Sequence, residues 1–295
     1  NNGQVDPGEN PFPGVLVELY LATQTPGVDV PLLTDTTDGS GHYGFEGLVP
    51  GDYIVSIPTP PTGYPRSSTV TDPADNREDN DDNGIQAADG GRTSSPVINL
   101  ASGAEPDRTD GDNANGDLTI DFGFFAPVNL GNLVWNDANN NRQVDPGEAG
   151  IDGVLLQLFT VGQDPLVNLP VATDTTSGGG LYEFNGLNPG QYFVYIPTPP
   201  ASAPRSSDVT DTADNQQDNN DNGSQAAGTG TPVTGPVVTL SSNGEPTTDG
   251  DGFNGDLTLD FGFYQPVNLG NLVWNDANNN GQVDPGEAAI PGVTV

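Results

Sequence analysis

Oxygen-bearing side chains recur at alternate positions in NDANNNRQVDPGE, residues 136–148. With Asp137 as position 1, Asn139 falls at 3, Asn141 at 5, Gln143 at 7, Asp145 at 9 and Glu148 at 12. That is the ligand spacing of an EF-hand loop, in which alternate oxygens curl round one Ca2+ and a final carboxylate closes the cage. Gln143 would supply its backbone carbonyl, and the apolar Val144 at position 8 would anchor the loop to the protein body. The pattern returns at Asp276, Asn278, Asn280, Gln282, Asp284 and Glu287, and in shortened form with Asp6 and Glu9. Position 6 calls for glycine; it is Gly3 and Gly281 in two copies but Arg142 in the middle one. A non-glycine residue at positive φ costs on the order of 1 kcal/mol, so the middle loop should be the strained one.

Two further acidic segments accompany this loop. TDPADNREDNDDNGIQ from Thr71 returns as TDTADNQQDNNDNGSQ from Thr210; Asp72, Asp75, Asp79 and Asp82 are matched by Asp211, Asp214, Asp218 and Asp221. Carboxylates concentrated in a long connection repel one another unless a counterion orders them. DGDNANGDLTIDFGFF from Asp110 returns as DGDGFNGDLTLDFGFY from Asp249. Here Asp110, Asp112, Asn115, Asp117 and Asp121 are matched by Asp249, Asp251, Asn254, Asp256 and Asp260. Asp121 and Asp260 sit among alternating apolar residues, where a carboxylate needs a partner, and a shared cation is one solution. Several Ca2+ ions per repeat are expected.

Composition removes most other chemistry. There is no Cys, Met or Lys, and the six positive charges are Arg66, Arg77, Arg92, Arg108, Arg142 and Arg205. Disulfides, thiol catalysis and Schiff bases are excluded. The one histidine, His42, is matched by Leu181, so no repeated activity uses imidazole as a base. Acids alone do not make a glycosidase without a cleft that pairs them, and no enzymatic function is expected. A net charge of −35 opposes contact with nucleic acid or with anionic lipid. It also strains a compact state unless something positive binds. A halophilic surface would spread its acids evenly, whereas these cluster at ligand spacing.

The elements that must position these residues repeat. NLGNLVWNDANNN occurs at Asn129 and again at Asn268, 139 residues on, and DFGF, IPTPP and PRSS recur at the same offset. The register divides the chain into 1–127, a β-sandwich repeat lacking its first strand; 128–266, a complete repeat; and 267–295, the first strand, calcium loop and start of the second strand of another. Both ends cut a supersecondary element, which indicates a window on a longer tandem array. The joint FFAPVNLG leaves little room for a flexible linker.

Within the complete repeat NLGNLVW, GVLLQLF, LPVATDT, LYEFNGL, QYFVYIP, PVVTLSS and DLTLDFGFY read as seven strands, with no sustained helical period. The fold class is all-β: tandem antiparallel Greek-key sandwiches, Ig-like or prealbumin-like, with calcium-ordered loops. In GGGLYEFNGLNPGQYFVYIP, the hairpin residues Tyr182, Phe184, Leu187, Tyr192 and Val194 should point into the core. This YxFxGLxPGxYxVxI pattern, shared by GSGHYGFEGLVPGDYIVSIP, resembles the prealbumin-like Cna-type B domains of bacterial surface proteins. Without lysine, the Lys–Asn isopeptide bond of many such domains cannot form.

The opening strand with its loop, the hairpin, the acidic connection and the acidic DFGFY strand together resemble the SdrD-type B domain of bacterial cell-surface adhesins. The resemblance covers the whole repeat and implies a calcium-binding sandwich used in tandem as a semi-rigid extracellular stalk, spacer or filament of a cell-surface or secreted protein. Its partners would be neighbouring repeats and other copies in a filament, without direct membrane contact. The competing expectation is an adhesin module that binds a host protein or glycan.

Overall fold

The computed structural model describes residues 3–68, 79–103, 116–207, 217–250, 252 and 254–294. Short alternating runs broken by glycine, proline and asparagine turns form strands, and no helix occurs among the described residues. The first repeat contains β1 (Leu16–Leu21), β2 (Leu33–Thr36), β3 (Gly51–Ile57), β4 (Arg66–Ser67), β5 (Ile85–Gln86), β6 (Thr93–Ser94), β7 (Ile98–Leu100) and β8 (Phe124–Phe125). The second contains β9 (Val128–Asn136), β10 (Leu155–Thr160), β11 (Ala172–Thr175), β12 (Leu181–Leu187), β13 (Gly190–Ile196), β14 (Arg205–Ser206), β15 (Val233–Thr234), β16 (Val238–Leu240), β17 (Gly255–Asp256) and β18 (Phe261–Tyr264). All seven expected strands form, with β14, β15 and β17 as short additions.

In the second repeat one sheet runs β11-β10-β13-β15, with β16 also on β13, and the other runs β12-β9-β18-β14, with β17 on β9. The first repeat keeps the matching sheet β2-β1-β3-β6-β5, with β7 on β3, and pairs β4 with β8. Pairings keep the 139-residue offset: Leu19 faces Val55 as Leu158 faces Val194.

The inward faces of the two sheets close the core. Val128, Leu130 and Val134 of β9, Leu156 and Leu158 of β10, Val194 and Ile196 of β13, and Phe261 and Phe263 of β18 are all 0% exposed. Tyr182, Phe184, Leu187 and Tyr192 are buried with them, as their alternation predicts. Gly262 permits a close approach: a Cβ there would lie 2.8 Å from Trp135 Cζ2 and from Ser207 Oγ.

Most pairings are antiparallel, but β9 runs parallel to both β17 and β18. The first and last strands of a repeat therefore point the same way, so the chain enters at one end of the sandwich and leaves at the other. β9 is continuous through Asn132, whose φ is 146°, but its parallel ladder is interrupted between Leu130 and Val134. In that gap of the parallel ladder Asp260 Oδ1 takes the Leu133 N–H at 3.1 Å.

The two repeats differ at the β12–β13 hairpin. In the first repeat residues 43–48 carry the same hairpin pattern as β12 yet form no strand, and Tyr43, Phe45 and Leu48 are only partly buried. The partner of β12 is β9. Residues 268–274 repeat the β9 sequence without a facing sheet and make only the Trp274–Ala289 bridge.

Replacing Phe261, which is 0% exposed, by alanine should cost the second repeat about 3–5 kcal/mol. Denaturant unfolding should show its transition moving to lower denaturant while that of the first repeat stays in place.

Candidate metal centre

The loop Asp137–Glu148 is organised by its own side chains. Asp137 accepts backbone N–H groups from Asn141 at 3.0 Å and from Arg142 at 2.8 Å. Asn139 Oδ1 accepts from Asn141 N, and Asn141 Oδ1 from Gln143 N, both at 2.9 Å. Glu148 closes the loop on the N–H groups of Ala138 at 2.8 Å and Asp145 at 3.2 Å. The amides of Asn139 and Asn141 both donate to Asp145 Oδ2, at 2.8 and 2.7 Å. The five ligand-type side chains are thus held by hydrogen bonds within one loop.

The loop at Asp276–Glu287 makes the same contacts without a sandwich behind it. Asn280 and Gly281 donate to Asp276 at 3.0 and 2.8 Å, and Ala277 donates to Glu287 at 2.9 Å. Its shape is therefore encoded locally. Position 6 needs a left-handed backbone in every copy: φ is 69° at Gly3, 71° at Arg142 and 73° at Gly281. In the first copy Glu9 still closes on Asp6, whose N–H donates to Glu9 Oε2 at 2.9 Å.

The second acidic segment packs directly on this loop. Val144 N donates to Asn219 O at 3.1 Å, Asp221 N donates to Arg142 O at 3.0 Å, and Gln143 bridges Asn220. The first repeat repeats the arrangement: Val5 N to Asn80 O at 3.0 Å, Asp82 N to Gly3 O at 2.8 Å, and Gln4 bridging Asp81. Asp221 and Asp82 are driven inside, 1% and 2% exposed. Asp221 Oδ1 accepts N–H from Gly223 and Gly262, at 3.2 and 2.8 Å. Asp82 Oδ1 accepts the matching pair from Gly84 and Gly123, at 3.1 and 2.9 Å. In both, Oδ2 is buried with no hydrogen-bond partner. The same holds for Asn220 Oδ1, Asp117 Oδ2 and Asp249 Oδ1.

The third segment meets the second. Asp260, 0% exposed, accepts N–H groups from Leu133 and from Asn219, the latter at 2.8 Å. Asn222 Oδ1 accepts Asp260 N at 2.8 Å, as Asn83 Oδ1 accepts Asp121 N at 2.8 Å. Asn132 Nδ2 reaches Asp218 at 2.7 Å, and Asn80 N reaches Asp121 at 2.8 Å. Asp256 Oδ1 accepts the Thr258 N–H at 3.1 Å, as Asp117 Oδ1 accepts that of Thr119 at 3.2 Å. Asp79 adjoins Asp121 closely enough to raise its pKa. Asn254 is exposed and supplies only its backbone carbonyl, to Asn129 N at 2.9 Å. Asp72, Asp75, Asp110, Asp112, Asn115, Asp211, Asp214 and Asp251 lie outside the described residues.

Residues absent from the sequence-based ligand set also serve these sites. Ser207 Oγ donates to Asp137 Oδ2 at 2.7 Å, and Trp135 Nε1 to Glu148 Oε2 at 3.2 Å. The recurrence of PRSS and of the DNG triplet at Asp82 and Asp221 was the available signal for Ser207 and for Asn83 and Asn222.

Burial dominates the electrostatics. It pushes Asp82 up to about 7, against the lowering effect of the Gly123 and Gly84 N–H groups. Asp121 rises to about 6 by burial, reinforced by Asp79 and Asp81. Asp221 and Asp260 are pushed well above the usual carboxylate range by burial; repulsion from Asp137 and Asp218 respectively adds to it. Arg142 relieves Asp221 only in part, and the guanidinium groups of Arg66 and Arg92 pair with Asp89 and Glu18 instead.

Among the described residues no three His, Cys, Asp or Glu side chains stand close enough to hold a metal ion by themselves. The oxygens that these loops carry are mixed, from carboxylates, amides and backbone carbonyls, which is the donor set of a hard divalent cation. Buried acceptor oxygens without a donor are costly, about 1–3 kcal/mol each, and they recur in register at Asp82 and Asp221. A hard cation fits these residues.

Sandwiches whose first and last strands run parallel, with oxygen-rich loops packed against the sheet ends, define a class of tandem all-β repeat. The chain belongs to the SdrD B-like domain family, whose profile matches residues 1–119 and 128–218. It is similar to serine-aspartate repeat-containing protein D of Staphylococcus aureus strain Newman, 34% identical over 297 residues that cover 100% of this chain and 18% of the relative. Serine-aspartate repeat-containing protein F of Staphylococcus epidermidis strain ATCC 12228 is 32% identical over 265 residues, 89% of this chain and 13% of the relative. The chain thus spans less than a fifth of the curated relatives it matches. Superposed on GBS52, the minor pilin of Streptococcus agalactiae, it gives a TM-score of 0.25 at 13% identity, over 90% of each chain.

Arg142→Gly should relieve the left-handed strain and raise stability by about 1 kcal/mol in saturating calcium, measured by denaturant titration. A second outcome follows from the raised carboxylates. Folding favours their protonated form, so that contribution is fully present below the ordinary aspartate pKa of 3.8 and is lost as pH rises through about 7. In excess chelator the unfolding midpoint should therefore fall between pH 4.5 and 7.5, and saturating calcium should flatten that fall.

Proposed function

We propose that the chain is a run of calcium-stabilised structural repeats, forming a semi-rigid extracellular stalk, spacer or filament of a cell-surface or secreted protein. The observation that carries this reading is the pair of buried carboxylates, Asp82 and Asp221, each with an oxygen lacking a donor at the junction of two acidic loops. Asp137, Asn139, Asn141, Gln143, Asp145 and Glu148 would hold one Ca2+, and the sites around Asp221 and Asp260 would hold others. Bound calcium supplies compensating positive charge, which joins the acidic loops to the sandwich. The parallel pairing of β9 with β18 favours end-to-end stacking of repeats over side-by-side clustering. The role is not catalytic: His42 is largely exposed and lies beside Asp38 at 3.9 Å, and Leu181 takes its place in the second repeat.

Three carboxylates with two neutral amides suit an extracellular affinity, roughly 10−4 to 10−3 M. At ten times its dissociation constant one ion adds about 1.4 kcal/mol, and three add about 4 kcal/mol per repeat. A second reading, recognition of a host protein or glycan, is favoured by apolar side chains exposed in register on the β1–β2 and β10–β11 connections. These are Val28 at 80% and Val30 at 81%, matched by Val167 at 79% and Leu169 at 86%.

Calorimetry should find melting raised by on the order of 10 °C in millimolar calcium relative to excess chelator. An unchanged melting temperature contradicts the calcium reading.

A further inference from the structure

The joint between the two described repeats is built around one arginine. Arg66 lies in β4 opposite Phe125, the last strand residue before the chain passes through Ala126 and Pro127 into β9. Its Nε holds Asp89 of its own repeat at 2.7 Å. Its Nη1 crosses to the second repeat, donating to Gly186 O at 2.6 Å and Asn188 Oδ1 at 3.1 Å. Gly186 presents that carbonyl from a left-handed backbone, φ 67°, at the end of the β12–β13 hairpin. Around this crossing, Ser242 Oγ bonds both the N–H and the C=O of Ala126, at 2.8 and 2.7 Å, and Asn243 Nδ2 donates to Tyr64 Oη at 2.8 Å.

The repeat register carries the crossing further. Arg205 occupies β14 opposite Tyr264 as Arg66 occupies β4 opposite Phe125. Gly47, the match of Gly186, has the same left-handed backbone, φ 71°. Asn188 and Ser242 are replaced by Val49 and Gly103 in the first repeat, so what both repeats share is an arginine at one end and a hairpin carbonyl at the other. We propose that the arginine of PRSS is the docking element between repeats, with Arg66 engaged in the Gly186 hairpin and Arg205 holding the equivalent strand position in the second repeat. The planar guanidinium suits this task, because its several donors serve a carbonyl, an amide oxygen and a carboxylate together. It also places one of the six positive charges of a chain of net charge −35 between two acidic bodies.

This deepens the stalk reading and rests on it only in treating the repeats as mechanically continuous. The absence of native cysteine allows spin labels at Thr34→Cys and Thr173→Cys, equivalent exposed positions in the two repeats, on the full chain in saturating calcium. Electron–electron distance measurements should give a distribution at least twofold wider in Arg66→Ala and also broadened in Arg66→Lys, where one ammonium cannot serve all three acceptors. Arg205→Ala, as control, should leave the 34–173 distribution unaltered. An unchanged width in Arg66→Ala, or equal broadening in Arg205→Ala, overturns the proposal. Should Arg66→Ala fail to fold, Arg66→Lys carries the same test. The melting shift with calcium is read separately, so loss of that shift would sink the calcium reading while leaving this one to the distances.

Discussion

Everything in this fold is arranged around carboxylates held out of water at the junction of its acidic loops. Asp82 and Asp221 are nearly inaccessible, each with one oxygen satisfied by two glycine N–H groups and one unsatisfied. An ionised carboxylate in that position is expensive unless charge of the opposite sign reaches it. The chain contains 41 acids against six arginines, so it cannot supply that charge broadly from its own side chains. In the proposed reading a divalent cation bound by the same loops would supply that charge and would hold together loops far apart in sequence, 137–148, 217–222 and 256–260, which pack against one another.

The same constraint shapes the strands. The gap in the parallel ladder leaves the Leu133 N–H to Asp260, and the parallel partners on either side of that gap bring the third acidic segment beside the first. That parallel arrangement also sends the chain out at the end opposite its entry. Loop chemistry and end-to-end geometry are thus consequences of one strand placement. The 276–287 loop makes the same internal contacts as the 137–148 loop, with Asn280 and Gly281 donating to Asp276.

Much of this was legible beforehand because it is periodic. Alternation located all seven strands, and the hairpin aromatics were assigned to the core from their inward positions. Twelve-residue spacing identified the first loop, and its demand for a positive φ at position 6 was visible in Gly3 and Gly281 against Arg142. Spacing did not reveal that β9 pairs in parallel, since side-chain alternation is the same in either direction. Nor did it reveal Ser207, Asn83 or Asn222, whose roles depend on which loops meet in three dimensions. Joint contacts such as Arg66 to Gly186 were equally hidden, because an exposed arginine carries no sign of what it will reach.

Asp221→Asn tests the central claim most directly, because it removes the buried charge while keeping an oxygen for the Gly223 and Gly262 N–H groups. Denaturant unfolding of the full chain at pH 7.5, in chelator and in saturating calcium, should give effects of opposite sign. The variant should be more stable than the parent without calcium and less stable with it. A variant that is destabilised equally in both conditions would contradict the account, because it would mean that the carboxylate serves as an ordinary buried acceptor rather than as a site for a cation.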